Sequence, residues 1–282
     1  MKHWSRFVYN IKYFLNLAMS EPGLEPISIA RKIAISLTQE KNSNLEENEF
    51  LQFLAEREIK YLVHFTPVEN IKNILQFGLI PRMYLKEEVI RIALNPVFSD
   101  ELRLDDMEDA NCLSITFPNH GMFYKKRMTS SREWAVLLID PTILVKHKCS
   151  FSPDNNASSS IRSDSGINSA QQMFSNSKIR KLNSLPPCYT TNPQAEVLEY
   201  SVVSSDYVIG INLISDRHID EVARLASIYD IEVGVNRRLF QARSDHKYWK
   251  SHPRLDVVDD YLEVLLLDKD YSVKGKGAAC GN

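Results

Sequence analysis

The sequence predicts an α+β fold with a mixed sheet, and two observations lead there. Short runs rich in β-branched and aromatic residues recur along the chain as strand candidates, and other segments carry apolar residues three and four apart, as on a helix. These segments do not alternate with the regularity of a doubly wound fold, so the sheet should be mixed in direction with helices around it.

Trp4–Leu17 and Ile27–Thr38 read as helices separated by SEPGLEP, and the polar run QEKNSNLEEN follows as a linker. Residues 1–45 are therefore expected to be a helical extension, and residues 46–282 the main domain. Within the extension, FVYNIKYFLNLAM is interrupted by Asn10 and Lys12. It falls short of the roughly 20 apolar residues a membrane span needs. An amphipathic helix of a cytoplasmic protein is expected, with no membrane partner. The next helix, EENEFLQFLAEREI, puts Phe50, Phe53 and Leu54 on one side.

The best-punctuated segment is KYLVHFTPVENIKNILQFGLIPR. Tyr61–Phe65 reads as a strand, and Thr66, Pro67 and Glu69 supply an N-cap, a first-turn proline and a capping-box acid. Val68, Ile71, Ile74 and Leu75 form an apolar stripe, and Gly78 stands at the helix C-cap. Further strands are expected at Asn111–Phe117, Glu133–Asp140, Ala195–Val202, Tyr207–Leu213 and Ile231–Asn236. Helices are expected at INSAQQMF and RHIDEVARLASIYD, and SFSPDNNASSSIRSDSGINSA reads as a long Ser/Asn-rich loop.

Composition narrows function little. With 34 basic and 36 acidic residues among 282, net charge indicates no partner class. The basic runs YKKRMTSSRE, NSKIRK and NRRLFQARSDHKYWK read as solvated faces. Cys112, Cys149, Cys188 and Cys280 show neither a CxxC pair nor metal-ligand spacing, so reduced thiols and no metal are expected. In NPQAEVLEYS, Gln194 and Glu196 are two apart on a strand and share a face. Taken alone, they describe a solvent-facing strand end.

Several motifs in series change that reading. YLVHFTPVENIKNILQFGLIPR, DELRLDD, LSITFPNHGMFYKKR, WAVLLID and LPPCYTTNPQAEVL resemble, in order, the bacterial DNA ADP-ribosyltransferase toxins of the DarT family. The likeness covers roughly residues 58–215 and is greatest to the guanine-modifying branch. It implies an ADP-ribosyltransferase fold with a mixed split β-sheet core, NAD as co-substrate, single-stranded DNA as acceptor and a macrodomain antitoxin as partner.

The resemblance also implies roles for individual residues. Glu196 would hydrogen-bond the nicotinamide ribose and stabilise its oxocarbenium character, and Gln194 would meet the acceptor base. Arg103 would hold NAD phosphate, since a guanidinium fork suits a pyrophosphate. The family arginine at this place is also needed for catalysis; Arg82 competes for the role, and Arg103 is the residue expected to fill it. His64, Phe65, Thr66, Asn70 and Gly78 would wall the nicotinamide end, and Met122 and Tyr124 would stack on the dinucleotide. Lys125 and Arg127 would meet DNA phosphates, and Tyr189 would lie against an unpaired base. Two other functions stay open: a protein-directed mono-ADP-ribosyltransferase, and a non-catalytic nucleic-acid-binding module that keeps the fold.

Overall fold

A computed structural model describes residues 44–86, 91, 94–97, 109–154 and 164–251. The two N-terminal helix candidates, the acidic segment carrying Arg103 and the tail after residue 251 lie outside these described residues. Helix α1 (Asn44–Glu56) buries Phe50, Phe53 and Leu54, the face expected from their spacing. It leads into strand β1 (Leu62–Pro67), a 3-10 turn (Val68–Asn70) and helix α2 (Ile71–Phe77). The predicted stripe packs inward, with Ile71, Ile74 and Leu75 buried and Val68 against the same core. A one-turn helix α3 (Arg82–Leu85) follows.

Strand β2 (Asn111–Ile115), helix α4 (His120–Met128), strand β3 (Trp134–Ile139) and helix α5 (Ile143–Lys146) come next. Then come strands β4 (Cys149–Ser152) and β5 (Asp164–Ser165), and helices α6 (Ile167–Gln172) and α7 (Ser177–Leu182). Strands β6 (Glu196–Glu199) and β7 (Val208–Leu213), helix α8 (Ile219–Ala226), strand β8 (Glu232–Val235) and helix α9 (His246–Ser251) complete the described order.

The eight strands run β5-β4-β6-β2-β1-β3-β7-β8, all antiparallel except the β7–β8 pair. This is the expected α+β mixed sheet, and it is split. Strand β2 pairs with β6 through Asn111, Cys112 and Leu113, but with β1 only through Ser114 and Ile115. One half of β2 therefore belongs to each half-sheet. From His64 onward, β1 is paired with β3 alone.

Four local expectations need correcting. β1 runs on through Thr66 and Pro67 because β3 continues to pair there, at Ala135 and Trp134. Thr66 is thus a strand residue, no side chain caps the turn that follows, and Glu69 pairs with Arg132 across the surface. The Ser/Asn-rich segment opens with β4, whose four residues are all buried between β5 and β6. Its Ser–Phe–Ser alternation looks like loop composition until a partner strand on each side covers it. Helices α4, α7 and α9 also went unread, being short and dominated by charged or polar residues. Finally, Cys112 and Cys149 are free thiols as expected, whereas Cys188 is disulfide-bonded.

Gly78 ends α2 as the sequence predicts. Its N–H donates to the Ile74 carbonyl at 2.8 Å, and its backbone stands at φ 86°, ψ 171°. That region is essentially closed to residues with a Cβ. Gly78→Ala is expected to lower stability by about 1–3 kcal/mol, read from the urea midpoint, with the far-ultraviolet dichroism of the native state unchanged.

Candidate active site

The split between β1 and β2 leaves backbone groups that no neighbouring strand satisfies, and side chains take them up. His64 Nδ1 donates to the Cys112 carbonyl at 2.9 Å, across the gap. A carbonyl only accepts, so Nδ1 carries a proton. Thr66, two residues on and on the same face, accepts at Oγ1 from Asn70 Nδ2 at 3.1 Å. Asn70 also clamps Val97, donating to its carbonyl at 2.9 Å and accepting its N–H at 2.9 Å. Asn73 Nδ2 donates to the Leu94 carbonyl in the same way. The two asparagines of α2 and its cap thus tether the segment that leads toward Arg103. Arg103 itself lies outside the described residues, and Arg82 is half-buried at the start of α3.

Phe65 faces the opposite side of β1. Its ring stacks on Phe123 at 4.5 Å and 16° and meets Trp134 at 6.1 Å. It is a core ring that fixes α4 against the sheet. On α4, Phe123 points into that core, while Met122, Tyr124 and Lys125 are half-buried. The Met122 N–H donates to Asn119 Oδ1 at 3.2 Å, so Asn119 is the helix cap. Arg127 was expected on DNA phosphate. It donates to the Phe240 carbonyl at 2.6 Å and lies over the rings of Phe123 and Phe240.

Across the split, β6 begins at Glu196, which is only 5% exposed and paired opposite Ser152 of β4. A solvent-facing strand end is therefore not what the fold builds. Gln194 precedes the ladder and is half-buried, its N–H donating to Asn192 Oδ1 at 2.8 Å. Further along β6, Glu199 is fully buried. Glu199 accepts from His147 Nδ1 at 2.9 Å, Ser201 N at 2.8 Å, Asn111 Nδ2 at 3.1 Å and the Ser201 hydroxyl. Asn111 also donates to the carbonyls of Leu79 and Ser201. Glu199 is thus a structural knot behind the site, and its signal in the sequence was an acid inside an apolar strand.

Tyr189 does not present an open face to a base. It is 5% exposed, its ring tilted against Phe117 at 5.6 Å and lying beneath Arg243 at 5.5 Å. Sequence reasoning missed this arginine. It sits in the basic run NRRLFQARSDHKYWK, expected on a solvated face, yet it is 1% exposed. Its Nε and Nη2 grip Asp245 at 2.7 and 2.6 Å, and Trp249 Nε1 donates to the same carboxylate at 2.7 Å. Burial alone would raise the Asp245 pKa. The Arg243 charge and the hydrogen bonds from Arg243 and Trp249 outweigh it and hold the carboxyl below its usual range. The only sequence signal was the Arg-x-Asp spacing, which is common on surfaces.

A cavity of about 900 Å³, lined by residues that include Glu69, Lys72, Arg132, Glu133, Arg217 and Arg224, contains none of the predicted site residues. Among the described residues, no group of three or more His, Cys, Asp or Glu is placed to hold a metal ion. No described helix is long and apolar enough to cross a membrane.

Comparison with known proteins now bears on this geometry. Residues 63–248 match the family model described as ssDNA thymidine ADP-ribosyltransferase, DarT. Among solved structures, Thermosipho africanus DarTG in complex with ADP-ribose is similar with a TM-score of 0.51 at 15% identity, over 64% of this chain. The match spans 51% of that chain, about half its length, and shows a shared fold. Thermus sp. 2.9 DarT in complex with NAD+ scores 0.46 at 14% identity, over 65% of this chain and 98% of that one. The same protein in complex with ADP-ribosylated ssDNA scores 0.46 at 15% identity, over 65% of this chain and 97% of that one. Both scores are too low to add to the fold assignment. A search of the curated proteins finds no match.

The histidines around Arg243 have a consequence for stability. His120, at the start of α4, is buried, and its Nδ1 has no hydrogen-bond partner among the described residues. Burial first, and then the charge of Arg243, push its pKa down to about 3 against the opposing pull of Asp245. His246 is lowered too, chiefly by burial. The unfolded chain therefore takes up these protons first, so stability is full above about pH 6.5 and falls as pH drops toward 3. For His120 the slope is about 1.4 kcal/mol per pH unit. Urea midpoints at pH 7, 6 and 5 are expected to fall less steeply in His120→Gln than in the parent protein.

Proposed function

This chain belongs to the DarT family of ADP-ribosyltransferases, and we propose that it transfers ADP-ribose from NAD to a base of single-stranded DNA, releasing nicotinamide. What supports this reading is the buried carboxylate of Glu196 at the mouth of β6, with Gln194 two residues ahead of it and His64 and Thr66 on the strand beyond the split.

These residue types fit NAD. The His64 ring, oriented by the bond from Nδ1 to the Cys112 carbonyl, suits the nicotinamide end of NAD. A carboxylate held in a protein-lined site suits the ribose hydroxyls and the positive charge that develops as the bond between ribose C1′ and nicotinamide breaks. In the reaction, nicotinamide leaves with the electron pair of that bond, a base nitrogen attacks C1′, and the proton lost from that nitrogen passes to Glu196. The Gln194 amide both donates and accepts, as reading a base edge requires. Single-stranded DNA is the suitable acceptor because the attacking nitrogen must be reached edge-on. Arg103 serves the pyrophosphate, with Arg82 as its rival, and Lys125 on α4 meets a DNA phosphate. The chain then acts as a cytoplasmic toxin, checked by a macrodomain antitoxin that removes the modification. That partner is what the resemblance to the DarT family implies.

Guanine is the acceptor we favour, from the likeness of the motif series to the guanine-modifying branch. Thymidine is the second reading, because the matching family is described by that acceptor. The four homopolymeric oligonucleotides, incubated with protein and NAD and weighed by mass spectrometry, separate them. An ADP-ribose adduct on the guanine polymer alone is expected, an adduct on the thymidine polymer replaces guanine by thymidine, and adducts on protein only would overturn DNA as substrate. Glu196→Ala should lower transfer by about 100-fold or more and abolish growth inhibition while the protein stays folded. Undiminished toxicity would favour a binding module without catalysis.

A further inference from the structure

The loop that carries the sequence toward Gln194 is held in an unusual way. Arg180 of α7 donates from Nη1 to the Tyr189 carbonyl, and from Nη2 to the carbonyls of Pro186 at 2.9 Å and Pro187 at 3.3 Å. Arg243 donates from Nη1 to the Thr190 carbonyl at 3.0 Å and to Thr190 Oγ1 at 3.3 Å, and from Nη2 to the Thr191 carbonyl at 3.0 Å. With the two bonds to Asp245, all five N–H donors of Arg243 are used. Burying a guanidinium costs several kcal/mol unless it is paired and hydrogen-bonded. A full set of acceptors explains how this one stays inside.

The restraint reaches Gln194. Thr190 Oγ1 donates to the Asn192 carbonyl at 2.8 Å, and Asn192 Oδ1 accepts the Gln194 N–H at 2.8 Å. Thr191 is tied from the other side, its N–H donating to the Met173 carbonyl at 2.8 Å and its hydroxyl to the Ser175 carbonyl. Glu196 is held in addition by the β4–β6 ladder, which sets it opposite Ser152. The ribose-facing acid thus has the ladder of a strand to hold it, whereas the acceptor-facing amide depends on the braced loop alone. Burial and the neighbouring charges of Arg57 and Arg243 push the Arg180 pKa down to about 10, so its guanidinium keeps its charge at neutral pH.

We propose that Arg180 and Arg243 are positioning residues that fix the Pro186–Thr191 loop, and through it Gln194, so that the surface selecting the acceptor base is built before DNA arrives. This inference rests on the proposed transfer to DNA. Loosening the brace separates acceptor recognition from NAD cleavage, since water needs no such surface to take the ribose.

The test compares Arg180→Lys and Arg243→Lys with the parent protein in two assays. One is nicotinamide release from NAD without DNA, and the other is transfer to the preferred oligonucleotide. The ratio of transfer to hydrolysis is expected to fall roughly 10- to 100-fold, with a higher KM for oligonucleotide. Amide exchange over residues 188–195 should speed up while β1 and β3 stay protected. If Arg243→Lys fails to fold, the half-exposed Arg180→Lys carries the comparison. An unchanged ratio in a folded variant, or unchanged exchange in the loop, overturns the brace. A parent protein that releases nicotinamide yet modifies no oligonucleotide overturns the DNA reading itself, and the brace's role with it.

Discussion

Strand β2 changes partners part-way along its length, and the rest of the structure is arranged around that hand-over. Its first three residues are paired with β6 and its last two with β1, so the half-sheets share one short strand and diverge on either side of it. Opening a ladder exposes polar backbone that water or side chains must satisfy. Here side chains do it. His64 caps the Cys112 carbonyl from β1, and Asn111 reaches the Leu79 and Ser201 carbonyls while also bonding Glu199. The residues that close the split are thereby oriented by it, so fixed polar groups stand where the ladder opens.

The two strands that flank β2 are held by different physics. On the β1 side, orientation comes from packing: Phe65, Phe123 and Trp134 form an aromatic cluster that locks α4 onto the strand. On the β6 side it comes from charge. Arg180 and Arg243 satisfy a run of carbonyls in a loop that has no strand to pair with. A loop pinned by the buried Arg243 guanidinium has few alternative conformations, because each alternative would strand that charge. Preorganisation of that kind suits a transfer reaction, where the acceptor must be in line before the glycosidic bond opens.

Much of this was legible in the sequence where the relevant physics is local. The apolar stripe of α2, the inward face of α1 and the glycine stop at Gly78 follow from side-chain spacing and from the φ that only glycine tolerates. The shared face of Gln194 and Glu196 follows from strand alternation, and the order of motifs makes the pair a candidate site. Legibility failed where a partner distant in sequence decides. Strand β4 looks like a loop without β5 and β6 beside it, and Thr66 looks like a helix cap without β3 to prolong its strand.

The sequence by itself determined the fold class, the strand-helix unit around His64 and the residue types the chemistry needs, because these depend on periodicity and on side-chain functional groups. Only the tertiary structure decided that Glu196 is buried, that Tyr189 and Arg127 are committed to packing and to a backbone carbonyl, and that Arg243 lies inside. A charged side chain has the same composition on a surface or in a core. Its place is set by whether the remainder of the chain brings enough acceptors around it to replace water.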